Sequence, residues 1–262
     1  MLLPLKSLLI ILFSLLLTQS VLAQSSRKKN PVKDQYGVIV RGDTSQKNIA
    51  IVFTGHEFAD GAEVIIKTLK SKKVPGSFFF TGDFYLNPNF SSLIRQLKKD
   101  GHYLGAHSHH HLLYADWEKR DSTLVSENEF KKDIQDNYEA MSRFGIQKKD
   151  ARYFLPPYEW YNGDIARWTK ELDLTLINFS SGTRSNADYT YPEMESRYVG
   201  TEEIYQSILN YEKREGMNGF ILLIHIGTDP RRSDKLYHRM GGLIDELRKR
   251  GYSFKRIDDL LR

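Results

Sequence analysis

An alternation of two patterns constrains the fold most. From residue 48 onward, short runs of β-branched and aromatic residues take turns with stretches of helical spacing. The runs are NIAIVFTG (48–55), GSFFFTG (76–82), HYLGAHS (102–108), ARYFLP (151–156), LTLINFS (174–180), GFILLIHIG (219–227) and YSFKRI (252–257). Between the first two, AEVIIKTLKSK (62–72) puts Val64, Ile65, Thr68 and Leu69 on one face, the repeat of a helix that buries one side. SSLIRQLKKDG (91–101) and EFKKDIQDNYEAMSRFG (129–145) each end on Gly, a helix-stop signal. DIARWTKEL, EEIYQSILNYEKR and KLYHRMGGLIDELRKRG follow the same logic. Strands alternating with helices imply βαβ units around a parallel sheet. Seven such strands predict a barrel of fewer than eight units.

The chain ahead of this pattern reads differently. Residues 1–23 carry one early cation, Lys6, then an apolar run from Leu8 to Leu17, then Val21-Leu22-Ala23. That is the form of a secretory signal peptide cleaved before Gln24. The run is short for a bilayer span, which takes about 20 apolar residues. The expected location is therefore exported, periplasmic or secreted, with no membrane span left after signal removal. Polar residues 24–47 read as an N-terminal arm, and 48–262 as one barrel domain. The sequence has no cysteine, so there are no disulfides, and any transition metal falls to His and carboxylate ligands. The net charge of +5 is spread among acidic residues and reads as a solvated surface. No nucleic-acid motif is present.

In parallel α/β folds the chemistry collects at the carboxyl ends of the strands. Polar residues fall at those places. His56, Glu57 and Asp60 follow the first run, His107 and His111 the third, and Pro156-Pro157-Tyr158 the fourth, while His225 closes the sixth. Four of the eight histidines lie in HSHHH, at His107, His109, His110 and His111. If the chain rolls into a helical turn after Ala106, His107 and His111 share a face and can grip one ion, with His109 and His110 pointing elsewhere. The plainer reading is a polar loop, and a bare metal-storing patch is a third. His225 lies within ILLIHIG, where an unused, unpaired imidazole is costly to bury.

The motifs GHYLGAHSHHH, GSFFF, Pro156-Pro157-Tyr158 and Leu223-Ile224-His225, in this order, resemble the polysaccharide deacetylases with a NodB-type domain (carbohydrate esterase family 4) over roughly 48–257. The resemblance implies an α/β fold, a distorted (β/α)7 barrel in a single domain. It implies a divalent metal, by default Zn2+, on His107 and His111, with His225 as catalytic acid. It places Pro157, Tyr158, Trp160 and Leu223 on the side of an acetylated polysaccharide substrate, with the Tyr158 N–H at the oxyanion.

The chain departs from that family at two linked places. The family's T-F-D-D-G supplies a general base and a metal-binding Asp. Here VFTGHEFADG puts Gly55 and His56 in those positions, or Ala59 and Asp60 in a second register. The Arg expected before the two prolines, which pairs with the base, is Leu155. Metal ligands are therefore expected among His56, Asp60, His107 and His111. Asp60, Glu57 and Glu159 are the replacement bases, Asp60 first, although Asp60-Gly61 ahead of AEVIIKTL also fits a helix N-cap. The expected activity is hydrolysis of N-acetyl or O-acetyl groups on a glycan. The alternative is an inactive, carbohydrate-binding relative.

Overall fold

The computed structural model describes residues 31–262. The expected signal peptide (1–23) and the start of the expected arm lie outside the described residues. The strands are β1 (Val32–Lys33), β2 (Ile39–Arg41), β3 (Asn48–Gly55), β4 (Ser77–Phe80), β5 (Tyr103–Ala106), β6 (Tyr153–Phe154), β7 (Thr175–Leu176), β8 (Phe220–His225) and β9 (Ser253–Phe254). The last seven are the seven apolar runs of the sequence. They form one sheet in the order β7-β6-β5-β4-β3-β8, with β9 also on β3, and every pairing is parallel. The sheet curls into an incomplete barrel, so the predicted (β/α)7 fold is the one adopted.

The helices are α1 (Ala62–Lys72), α2 (Gly82–Leu86), α3 (Ser91–Lys99), α4 (Glu127–Ser142), α5 (Gly163–Glu171), α6 (Thr201–Glu215), α7 (Met240–Lys249) and α8 (Ile257–Leu260). Gly101 and Gly145, read as stop signals, take φ of +78° and +64° beyond α3 and α4, a conformation that costs glycine least. Helix α4 starts two residues before its apolar pattern shows. Ser126 caps Glu129 N–H, and the Glu129 side chain answers to the Ser126 N–H, a reciprocal capping box.

Strands β3, β4 and β8 are buried on both faces. Phe53, Phe78, Phe79, Phe80 and Leu223 are fully buried, which is why these runs are continuously apolar rather than alternating. Residues from the predicted arm pack into this core. Ile39 bridges Ile177 beyond β7, Asn178 N–H donates to Ile39 O, and Gly42 N–H donates to Gly219 O. Ser180 N–H donates to Ile221 O. The space between β7 and β8 is thus bridged by β2 and the chain that follows β7. Among the described residues, no helix is long and apolar enough to cross a membrane.

Candidate active site

Strand register brings the polar residues to one edge. His225 pairs with Thr54, Gly55 with Phe80, Phe80 with Ala106 and Ala106 with Phe154. Because the strands are parallel, His56, Thr81, His107 and Leu155 emerge together one residue further on. His56 Nδ1 lies 3.1 Å from Thr81 Oγ1. His107 Nδ1 lies 2.7 Å from Leu155 O. A carbonyl can only accept, so Nδ1 of His107 carries the proton and Nε2 keeps the lone pair.

His107 is buried, and His56 and His111 lie partly buried beside it. Burial pushes the His107 pKa down to about 3, with further depression from His225 and His56. Burial, then His107, His56 and His225, push His111 down to about 2. Neutral imidazoles are what a divalent ion requires. The His56 and His111 rings lie face to face with centroids 4.9 Å apart, and those of His107 and His111 stand 5.1 Å apart. Thr54 Oγ1 is buried at the same place with no partner, as befits a pocket floor shaped for a ligand. The donor set therefore fits a zinc-like ion, although the three rings do not each bring a nitrogen within 4.8 Å of the others, so closing on one ion requires the rings to turn. Ser108 and His111 take φ of +70° and +56°. The Ser108 hydroxyl accepts the His111 N–H at 2.9 Å, locking the loop that carries the rings.

His225 and Glu159 line the same cleft. His225 Nδ1 donates to Asp188 Oδ1 at 2.6 Å, and the other oxygen of Asp188 accepts the His225 backbone N–H at 2.9 Å. Burial depresses the His225 pKa, but Asp188, with help from Glu159, outweighs it and the net shift is upward. Glu159 moves the opposite way from an ordinary carboxyl. Desolvation lifts it to about 7, partly countered by His225 and reinforced by Asp188. Tyr158 and Glu159 are consecutive non-glycine residues at φ +58° and +54°, each costing about 1–3 kcal/mol, and such strain clusters at functional sites.

The cleft encloses about 720 Å³. Exposed aromatics flank it. Trp117 meets Tyr158 edge-on at 5.7 Å, Tyr158 lies 4.4 Å from His111, and Tyr189 stands 5.5 Å from His225.

Several expected residues go elsewhere. Asp60 is not part of the cleft lining. Its oxygens accept from Thr228 N–H at 2.8 Å and Tyr237 O–H at 2.9 Å, and pair with Lys235 Nζ at 2.9 Å. Nor does it cap α1, whose N-cap is Gly61 with no side-chain cap bond. The cap reading is corrected, and Asp60, expected as base or ligand, lies outside the cleft lining, where it straps the loop after β8 to the start of α1. Leu223 is enclosed in β8 opposite Val52 and Pro157 is buried, and both lie outside the cleft lining. Trp160 donates to Asp116 O, sits under Arg120 and leans on Trp117, bracing the cleft wall rather than lining it. His56, Glu57, His107, His111, Tyr158, Glu159 and His225 are the expected residues brought together. Thr81 and Trp117 were not anticipated. Asp188 and Tyr189 belong to the long irregular stretch 181–200, which reads from the sequence as a functional loop with Gly182 to Tyr189 closing over the site, but nothing in the local pattern singles out either residue.

The two replaced positions are closed as well as changed. A Cβ on Gly55 would meet Ile226 Cγ2 at 2.8 Å and Phe80 Cδ1 at 2.9 Å. Leu155 is fully buried. Core side chains now occupy the space a base and its Arg would need.

Asp60→Asn tests the strap. Asp60 stabilises through a pKa lowered from 3.8: burial raises it, but Lys235, Thr228 and Tyr237 together outweigh this. That stabilisation is present above 3.8 and is lost as pH falls through the lower folded value. Lys235 is 11% exposed but Asp60 is 40% exposed, so solvent screening discounts the pair. We expect a loss of about 1 kcal/mol, a Tm fall of roughly 2–4 °C, with metal content unchanged. Loss of metal at unchanged Tm would return Asp60 to the ligands.

Residues 41–177 match the family described as Polysaccharide deacetylase. The chain is 22% identical over 245 residues to peptidoglycan-N-acetylmuramic acid deacetylase PdaA of Bacillus subtilis, covering 90% of this chain and 80% of that protein. It is 26% identical over 218 residues to a peptidoglycan-N-acetylglucosamine deacetylase of Bacillus cereus, covering 83% and 90%. Among solved structures it is similar to a CE4 family pseudoenzyme of Bacillus anthracis, with a TM-score of 0.66 at 16% identity over 87% of this chain and 70% of the other.

Proposed function

The chain belongs to the polysaccharide deacetylase family, and from that premise we propose that it is an exported, metal-dependent hydrolase that removes acetyl groups, N-linked first of all, from a bacterial envelope glycan of the peptidoglycan kind. One observation carries the reading. The His225–Asp188 pair and the raised carboxyl of Glu159 stand in one cleft with the neutral imidazoles of His107 and His111. Both groups are shifted upward by their surroundings, and perturbed titrations gathered in one cleft are what an acid and base at work require. Export rests on the signal-like residues 1–23. The glycan class rests on what the two Bacillus relatives are named for.

Each residue then has a part. His56, His107 and His111 would hold the divalent ion, which when bound supplies Lewis-acid polarisation of the acetyl carbonyl and a more acidic water. Glu159 takes the proton from the attacking water. His225, held as an imidazolium by Asp188 at Nδ1, donates its Nε2 proton to the departing amine and is left neutral. The Tyr158 N–H holds the developing oxyanion. Trp117 and Tyr158 on one wall and Tyr189 on the other give a pyranose ring flat faces to stack on.

A second reading is a glycan-binding protein without catalysis. Gly55 and Leu155, in the places of the base and its Arg, favour it, as does the likeness in fold to a pseudoenzyme. Acetate release separates the two. The protein is incubated with N-acetylated peptidoglycan, chitin oligomers and acetylated xylan, after chelation and after adding back Zn2+. Metal-dependent acetate release that is lost in His107→Ala supports the hydrolase. Glycan binding with no acetate from any substrate establishes the second reading.

A further inference from the structure

His109 and His110, which the active cleft does not use, meet a third donor. We propose that Asp83, His109 and His110 form a second divalent-cation site, of the Zn2+ type, on the outer side of the histidine loop. Each oxygen of Asp83 faces a different ring. Oδ2 lies 3.0 Å from His110 Nδ1, and Oδ1 lies 4.0 Å from His109 Nε2. One donor atom from each of the three falls within 4.8 Å of the other two, a closeness no other such group reaches among the described residues. Donors sharing a tetrahedral zinc at about 2.0–2.1 Å stand roughly 3.3 Å apart, so the three need to close only slightly.

The convergence is built into the backbone. Neighbouring side chains usually diverge, yet the His109 and His110 rings stand 4.3 Å apart and perpendicular. Asp133 accepts the N–H of His109 at 2.9 Å and of His110 at 3.2 Å, and also the Tyr114 hydroxyl at 2.6 Å. Two backbone bonds, Gly82 N–H to Ser108 O and Asp83 N–H to His109 O, fix Asp83 against the loop. Gly82 makes room for the ring: a Cβ there would come within 2.0 Å of His109 Nδ1.

An ordinary polar loop leaves His109 unexplained. Its Nδ1 is buried with no partner, and its Nε2 is too far from Asp83 for a hydrogen bond. The ring is held in place with neither nitrogen bonded. A cation between Nε2 and the Asp83 carboxylate gives that nitrogen a partner and lets His110 Nδ1 complete the set, while Nδ1 of His109 stays enclosed against Gly82. None of the three lines the active cleft, whereas His107 and His111 of the same loop do. An ion here would tie α2 to the loop that carries those two rings.

The site is tested by titrating chelator-stripped protein with ZnCl2 in a calorimeter, and with CoCl2 while recording the visible spectrum. The wild type is compared with Asp83→Asn/His110→Ala and with His107→Ala/His111→Ala. The Asp83 and His110 side chains are 43% and 58% exposed, so that double variant is expected to fold, as circular dichroism would verify. The inference requires one equivalent of metal, with its cobalt band, that persists in His107→Ala/His111→Ala. That equivalent must weaken in Asp83→Asn/His110→Ala by more than the roughly 10–100-fold typical of losing an outer partner of a ligand. Metal binding unchanged by Asp83→Asn/His110→Ala, or no binding left once His107 and His111 are gone, would overturn it. Neither result depends on whether the cleft is an active hydrolase.

Discussion

Glu159→Gln is expected to lower kcat/KM for acetate release by about 10²–10⁴-fold, the usual contribution of a positioned base, with little change in Tm. Glutamine keeps the shape of the side chain and suits the +54° φ no worse than glutamate. The Asn178 amide bonds the backbone carbonyl of residue 159, which the substitution leaves in place. The pH profile identifies the role. Desolvation sets the Glu159 pKa at about 7, so below that pH the carboxyl is protonated and cannot take a proton from water. Wild-type kcat/KM should therefore rise as pH increases through about 7, and the residual activity of the variant should lose that limb. If Glu159→Gln keeps most of the activity and the limb stays, the base is elsewhere, and Glu57, the other cleft carboxylate read from the sequence, is next.

Strand positions were legible because burial on both faces leaves a plain mark. The runs containing Phe78, Phe79, Phe80 and Leu222, Leu223, Ile224 admit little except inner strands of a parallel sheet. The clustering of His56, His107 and His225 was legible for the same reason, since parallel register puts the residue after each run at one edge. Three things were not legible. The fate of Asp60 depends on Lys235 and Tyr237, which lie some 175 residues away in a different helical turn, and no local pattern reports them. Asp188 belongs to a segment of short 3₁₀ turns, Ser185–Tyr189 and Pro192–Arg197, with neither strand nor helix periodicity to aim it. Leu223 and Trp160 carried family positions, but whether a motif residue faces the cleft or the core is a matter of side-chain packing. The closure of the Gly55 position by Ile226 and Phe80 likewise arises from three strands at once. It also bears on what the site has become. A merely decayed base would leave an empty place, whereas here the place is filled and another carboxyl stands in the cleft.

Asp188→Asn should have an effect of the same order on the other limb of the profile. Asp188 does not belong to the cleft lining, so it acts through His225 and is a positioning residue. Its two oxygens accept two N–H groups of His225, one from the ring and one from the backbone. Asparagine has a single oxygen. If that oxygen keeps the backbone N–H, the amide NH2 faces Nδ1 and forces the proton onto Nε2. The ring then lacks the carboxylate that outweighs burial and holds its pKa up, so it becomes neutral at lower pH. Wild-type activity falls as pH rises through the raised His225 pKa. In Asp188→Asn that fall should move to lower pH, and kcat near neutrality should drop by about 10²–10⁴-fold with KM little changed. A purely structural role for Asp188 would lower Tm and leave the alkaline limb where it was. An unshifted limb in a folded Asp188→Asn protein would mean that His225 is not the acid, whatever the loss in rate.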